Sequence, residues 1–147
     1  MRKAILWTSV MLALTQLYSL AVTPASPTEE SIQGSWVGLP YQVSDYCRLV
    51  LTNGRGLFAR SYELEKAMIY TVVSYKLDRE GSVMFELSAA STNAYPVLVS
   101  GKATHYSIRI VIRSPDGGWS HESVLYREET VEGMFRDLRK SMEQVGK

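Results

Sequence analysis

Cysteine and histidine are the residues that most readily supply a nucleophile, a general base or a metal ligand, and this chain of 147 residues holds three: Cys47, His105 and His121. A Cys–His pair needs a thiol of lowered pKa within reach of an imidazole. Leu49 and Leu51 share the parity of Cys47, which describes an apolar face and a buried structural thiol. Zinc takes three or four ligands, and neither histidine sits in an H-x-x-x-H or C-x-x-C spacing. His121 beside Glu122 reads as a polar pair on a strand surface. Among the carboxylates, Glu63 with Glu65 lies at a turn and Glu128 with Glu129 opens a helix, so neither pair aims into one cleft as glycoside hydrolysis requires. Gly54-x-Gly56 belongs to a hairpin with no helix after it, which rules it out as a phosphate cradle. The expectation is a protein that is not an enzyme, with no catalytic residue, no metal and no cofactor.

Aromatic residues are the richer set. Trp36, Tyr70, Phe85, Tyr106 and Trp119 are expected to face inward and to line a cavity suited to a small hydrophobic or amphipathic ligand. The competing expectation is that they fill the interior with Leu and Ile, because eight strands enclose little more than side-chain volume.

Side chains share a cavity only if regular elements aim them there. From Gly34 onward, short β-rich runs alternate with turn residues at the spacing of an antiparallel meander. Eight strands are expected, over 35–41, 46–52, 57–64, 67–78, 83–90, 96–102, 106–113 and 119–127. Asn53-Gly54-Arg55-Gly56, Arg79-Glu80-Gly81-Ser82 and Pro115-Asp116-Gly117-Gly118 supply residues that tolerate positive φ and mark hairpins between them. Period-two alternation puts Tyr106, Ile108, Ile110 and Ile112 on one face, opposite Ser107, Arg109, Val111 and Arg113. The run 67–78 is apolar on both faces, with Met68, Tyr70 and Val72 on one and Ile69, Thr71, Val73 and Tyr75 on the other, so its outer face calls for a cover.

The C-terminal segment is the expected cover. Val131, Met134, Phe135, Leu138 and Met142 recur at helical spacing, which predicts an amphipathic helix over about 128–144 packed on the outside of the sheet. Thr130 is the expected N-terminal cap and Gly146 the stop. Mixed charge along this segment favours docking on its own sheet over lying on a membrane.

The N-terminus predicts export. Arg2 and Lys3 precede an apolar run from Ala4 to Leu14 broken only by Thr8 and Ser9, too short for a spanning helix, and small residues at Ser19 and Ala21 suit cleavage. The expected organisation is a signal peptide over 1–21, a flexible tail over 22–33 and one domain over 34–147, in a periplasmic or secreted protein with no membrane span after cleavage. The leader takes two of the 16 basic residues, so 14 remain against 15 acidic ones and no basic stripe points to nucleic acid.

An eight-strand meander that opens with Gly34-Ser35-Trp36, ends its last strand at Arg127 and continues into a helix resembles the lipocalin-like (calycin) barrels. The resemblance implies a mostly β fold, an eight-stranded antiparallel up-and-down barrel with one C-terminal helix outside. It also implies that Gly34, Trp36 and Arg127 close one end, with the guanidinium over the indole. A non-enzymatic carrier of a small hydrophobic ligand is the function it implies. Small exported barrels also resemble periplasmic protease and lysozyme inhibitors, which makes a protein target the alternative partner, met through the tail 22–31 or the loop around Asn93, Tyr95 and Pro96.

Overall fold

The computed structural model describes residues 25–38, 45–62 and 66–145. The expected leader over 1–21, the first residues of the tail, the end of the first expected strand over 39–41 and Gly146 lie outside the described residues.

Eight strands follow one another: β1 (Gly34–Gly38), β2 (Asp45–Thr52), β3 (Arg55–Tyr62), β4 (Met68–Leu77), β5 (Ser82–Ala89), β6 (Leu98–Ala103), β7 (Ser107–Arg113) and β8 (Ser120–Arg127). One helix, α1 (Glu128–Val145), leaves directly from β8. Each strand pairs antiparallel with its sequence neighbour, and β1 pairs with β8, which makes a closed barrel. Closure removes the exposed sheet edge that an open eight-strand meander would present. The fold is thus the closed eight-stranded antiparallel barrel that was expected, and it is consistent with a lipocalin-like fold. At the seam Trp36 stands opposite Arg127, Val37 opposite Tyr126 and Gly38 opposite Leu125.

Turn chemistry sets the registers. Asn53 and Gly54 both take positive φ, 50° and 78°, and join β2 to β3 as a two-residue hairpin with Thr52 opposite Arg55. The four-residue turn expected there is therefore shorter, because the Asn-Gly conformation matches strand twist and lets pairing begin at once. Gly56 then runs so close to β2 that a Cβ on it would sit 1.8 Å from the Val50 carbonyl oxygen.

The inward faces of the strands supply the core, with Leu49, Leu51, Phe58, Tyr70, Val72, Ile108, Ile110, Ile112 and Leu125 fully buried together with Trp36. Cys47 is buried among them, as a structural thiol should be. In β4 the alternation breaks. Met68, Tyr70 and Val72 face inward, the register shifts between Val72 and Ser74, and Tyr75 is inward as well. A bulge inserts one residue and flips parity, so Tyr75 does not belong to the outer face with Ile69 and Val73, where strict alternation put it. It meets Phe85 of β5 across the pair, ring centroids 6.1 Å apart.

Over 28–33 the chain is folded: Thr28 and Ser31 exchange backbone-to-side-chain hydrogen bonds, and Ile32 is fully buried at the end of the barrel. Gln33 accepts from the Asn53 amide at 2.8 Å and donates to the Tyr75 hydroxyl at 2.6 Å. The helix α1 packs against the outside of the barrel as expected, but on β1 and β8 rather than over β4. Only its first turn is seated, with Val131 buried, while Met134 is 63% exposed and Phe135, Leu138 and Met142 are comparably bare. Starting without a break from β8, the helix has Glu128 tied to Arg48 at 2.8 Å. Thr130 therefore falls inside the first turn and is no cap, and Ile69 and Val73 stay partly exposed.

Candidate functional site

The two ends of the barrel differ in construction. At one end the N-terminal turn, the β2–β3, β4–β5 and β6–β7 connections and the start of α1 gather, and the interior is sealed. Trp36 is fully buried and its indole N–H donates to the Ile32 carbonyl at 2.9 Å. The Arg127 guanidinium carbon lies 4.0 Å from the Trp36 ring centroid, and its N–H groups donate to the backbone oxygens of Ser31 and Gln33. A stacked guanidinium with its donors satisfied is a stable cap for an apolar interior. His105 stands at this end too, its ring 2.6 Å from the Ala25 carbonyl oxygen.

The opposite end is a mouth. The end of β3, the start of β4, the β5–β6 loop and the β7–β8 hairpin surround a half-open cavity of about 490 Å³ lined by Arg60, Met68, Asn93, Tyr95, Trp119, Ser120 and His121. That volume suits one small organic molecule.

Each lining residue is placed by local structure. Arg60 follows Phe58 on the inward face of β3, opposite Cys47, and is only 5% exposed. Its guanidinium carbon lies 4.8 Å from the Trp119 ring centroid. Trp119 sits just before β8 because Ser114 grips the hairpin: the Trp119 amide donates to the Ser114 hydroxyl at 3.1 Å and the Ser114 amide to the Trp119 carbonyl at 3.1 Å. Tyr95 meets Trp119 edge-on, centroids 6.0 Å apart at 85°. The loop that carries Tyr95 is pinned to β4 and to the residues just before it. The Ile69 amide donates to the Ser91 hydroxyl, Asn93 donates to the Lys66 carbonyl, and the Tyr70 hydroxyl donates to the Tyr95 carbonyl at 2.9 Å.

Tyr70 forms the floor under this mouth, buried and stacked obliquely on Phe58 at 5.9 Å. Burial raises its phenol pKa above the ordinary tyrosine value and the Tyr95 phenol nearby adds to the rise, while the Arg60 charge and the bond to Tyr95 pull the other way. Tyr75 is likewise raised, first by burial and then by Glu29.

Of the five aromatics expected to share one cavity, Trp119 alone lines it. Tyr70 lies below it, Trp36 seals the far end, and Phe85 packs against Tyr75 as a half-buried part of the core. Tyr106 is not inward at all, being 82% exposed. The Thr104 hydroxyl accepts from the amides of both Tyr106 and Ser107, and this tight corner ends before β7 begins at Ser107, leaving Tyr106 outside the alternating strand. Tyr95, Met68 and Arg60 are wall residues that period-two reading passed over. Arg60 carried a signal, since a charged residue stands at the inward parity of a strand whose other inward members are apolar.

The two histidines stand at opposite ends of the barrel, so Cys47, His105 and His121 do not meet in one cleft. Among the described residues no group of three or more His, Cys, Asp and Glu is arranged to hold a metal ion, and no helix is long and apolar enough to cross a membrane.

Geometrically, then, the chain is a closed eight-stranded antiparallel barrel, sealed at one end, with a half-open cavity among the described residues at the other. No protein-family model, no curated protein and no solved structure matches it.

Proposed function

We propose that this chain is an exported, non-enzymatic binding protein of the lipocalin-like kind, which holds a small hydrophobic or amphipathic molecule in the mouth of its barrel. The observation that carries the reading is the cavity of about 490 Å³ whose walls combine Met68, Tyr95 and Trp119 with polar groups from Arg60 and His121. An apolar wall with a few fixed polar groups is the usual make-up of a site for a small organic ligand. Binding at the mouth differs from binding in the lumen, because the sealed half is packed with side chains.

Native mass spectrometry of the purified protein tests the proposal, together with uptake of the neutral fluorophore N-phenyl-1-naphthylamine. A retained small molecule or saturable uptake, reduced by Trp119→Ala, is the expected result. An empty spectrum with no uptake refutes it.

A second reading is an inhibitor that meets an enzyme through the rim. It draws on the filled lower barrel and on Tyr95, 42% exposed on a loop held at three points and therefore preorganised for a protein contact. The tail is a weaker candidate for that contact than its sequence implied, since Thr28–Gln33 is folded against the sealed end. Retention of a protein partner by the native chain but not by a Tyr95→Asp variant, in a protein that takes up no fluorophore, is the outcome that favours this reading.

A further inference from the structure

Helix α1 has an apolar stripe that the barrel does not use. Its first turn is seated on β1 and β8 through Val131, yet every side chain from Met134 to Met142 is exposed. Met134, Phe135, Leu138 and Met142 share one face by their helical spacing, and each is more than half exposed. A contiguous apolar stripe held in water is unfavourable and marks a surface of interaction.

The charges of the helix are segregated along its length. Glu128, Glu129 and Glu132 lie within its first five residues, where Glu128 is tied to Arg48. From 134 to 147 the sequence carries four basic residues, Arg136, Arg139, Lys140 and Lys147, against Asp137 and Glu143, an excess of two positive charges. Charge that is mixed over the whole segment thus resolves into an acidic root on the barrel and a basic remainder. Arg136 and Lys140 stand four residues apart on the side away from the stripe, and Arg139 borders the stripe, one turn from both Phe135 and Met142. A helix with Phe and Leu on one face and Arg and Lys on the other is built to lie in the plane of a water–lipid interface. An arginine at the border buries its stem there while its guanidinium stays among the headgroups.

Tyr106 adds a second exposed aromatic close by. Ser107 stands opposite Tyr126, which places Tyr106 beside the junction of β8 and α1. A phenol, apolar in its ring and polar at its tip, suits headgroup depth.

We propose that α1 from Met134 onward is a docking element through which the protein lies on an anionic lipid surface. The stripe enters the boundary of the acyl chains, and Arg136, Arg139 and Lys140 meet lipid phosphates. A second copy of this chain fits less well. A segment of net positive charge repels its own copy, and a standard interface buries about 800 Å² on each partner, more than four side chains of one helix face provide. Docking through α1 is independent of what the mouth holds.

Co-sedimentation with vesicles tests this, comparing pure phosphatidylcholine with an equal mixture of phosphatidylcholine and phosphatidylglycerol. The native protein is expected to partition at least about tenfold more strongly onto the mixed vesicles and to be released from them by high salt. Phe135→Ser with Leu138→Ser is expected to lose binding to both, and Arg136→Gln with Arg139→Gln and Lys140→Gln to lose the preference. All five side chains are exposed, and urea unfolding of each variant checks that the barrel is intact. Native protein that stays in the supernatant beside mixed vesicles overturns the assignment, as does binding unchanged in the doubly Ser-substituted protein. Sedimentation equilibrium reads the rival occupant. A dimer that is lost on the two Ser substitutions, with no vesicle binding, gives the stripe to a second copy and overturns the lipid assignment. Should a variant fail to fold, the native protein decides alone: mixed vesicles are expected to protect Arg136, Arg139 and Lys140 from trypsin, and cleavage there at an unchanged rate overturns the assignment.

Discussion

Arg127 concentrates three interactions in one side chain: a face on the Trp36 indole and donors to the carbonyls of Ser31 and Gln33. Replacing it with Met keeps part of the apolar stem but strands two acceptors and bares the indole. Arg127→Met is expected to lower stability by about 2–4 kcal/mol, read from urea unfolding. Arg127→Lys is expected to recover only part of that loss, since an ammonium cannot reach two carbonyls and stack at once. Titration offers a second residue-scale prediction. The phenols of Tyr70 and Tyr75 are raised above the ordinary tyrosine value, chiefly by burial, so the unfolded chain gives up those protons first as pH rises. Stability is fully present below about pH 10 and falls as pH climbs from there toward the folded values. Ultraviolet difference titration of phenolate is expected to show two late-titrating tyrosines, and Tyr70→Phe to lack one of them.

At the scale of elements, alternation and turn chemistry carried much of the fold in the sequence. Ile108, Ile110 and Ile112 are inward as their period-two spacing implies, and positive φ at Gly54, Gly81 and Gly117 falls in the three hairpins that Gly and Asn marked. What the sequence hid was whatever broke the period. The bulge after Val72 swaps the faces of β4 within two residues, and no residue type there announces it. The corner at Thr104 removes Tyr106 from its apparent strand by side-chain hydrogen bonds rather than by a Gly or Pro. The candidate site suffered for the same reason. Asn93 and Tyr95 come from a loop, where periodicity stops, and Trp119 from an alternating pattern extended one residue too far, while Arg60 and Met68 stand on strands that the alternation did mark. Helical spacing in α1 was legible, but spacing tells which residues share a face and not whether anything lies against it. Because Met134, Phe135 and Leu138 are exposed, changing each to Ser is expected to alter unfolding free energy by less than about 0.5 kcal/mol. Val131→Ala, on the seated turn, is expected to cost about 1–2 kcal/mol in the same denaturant melts. A loss of more than that from Leu138→Ser contradicts the arrangement of α1.

Across the whole molecule, every strand pairing joins sequence neighbours except the one between β1 and β8. Among the described residues that pairing spans three register positions, whereas β2 with β3 spans eight. Neighbouring hairpins bring together residues a few positions apart, but the last pairing must unite opposite ends of the domain, and the entropy of gathering so long a chain falls on few contacts. The barrel is therefore a staved cask whose final hoop is its thinnest. Contacts at that joint are therefore expected to form after the rate-limiting step of assembly and to be the first to part. Val37→Ala, one residue from Trp36 on the joint, is expected to accelerate unfolding by most of its effect on stability and to leave the refolding rate nearly unchanged, whereas Leu49→Ala in the β2–β3 hairpin is expected to slow refolding. Stopped-flow chevrons measure both. A Val37→Ala protein that refolds several-fold more slowly would mean that the ends meet early, and that the sealed end organises the cask before its staves are set.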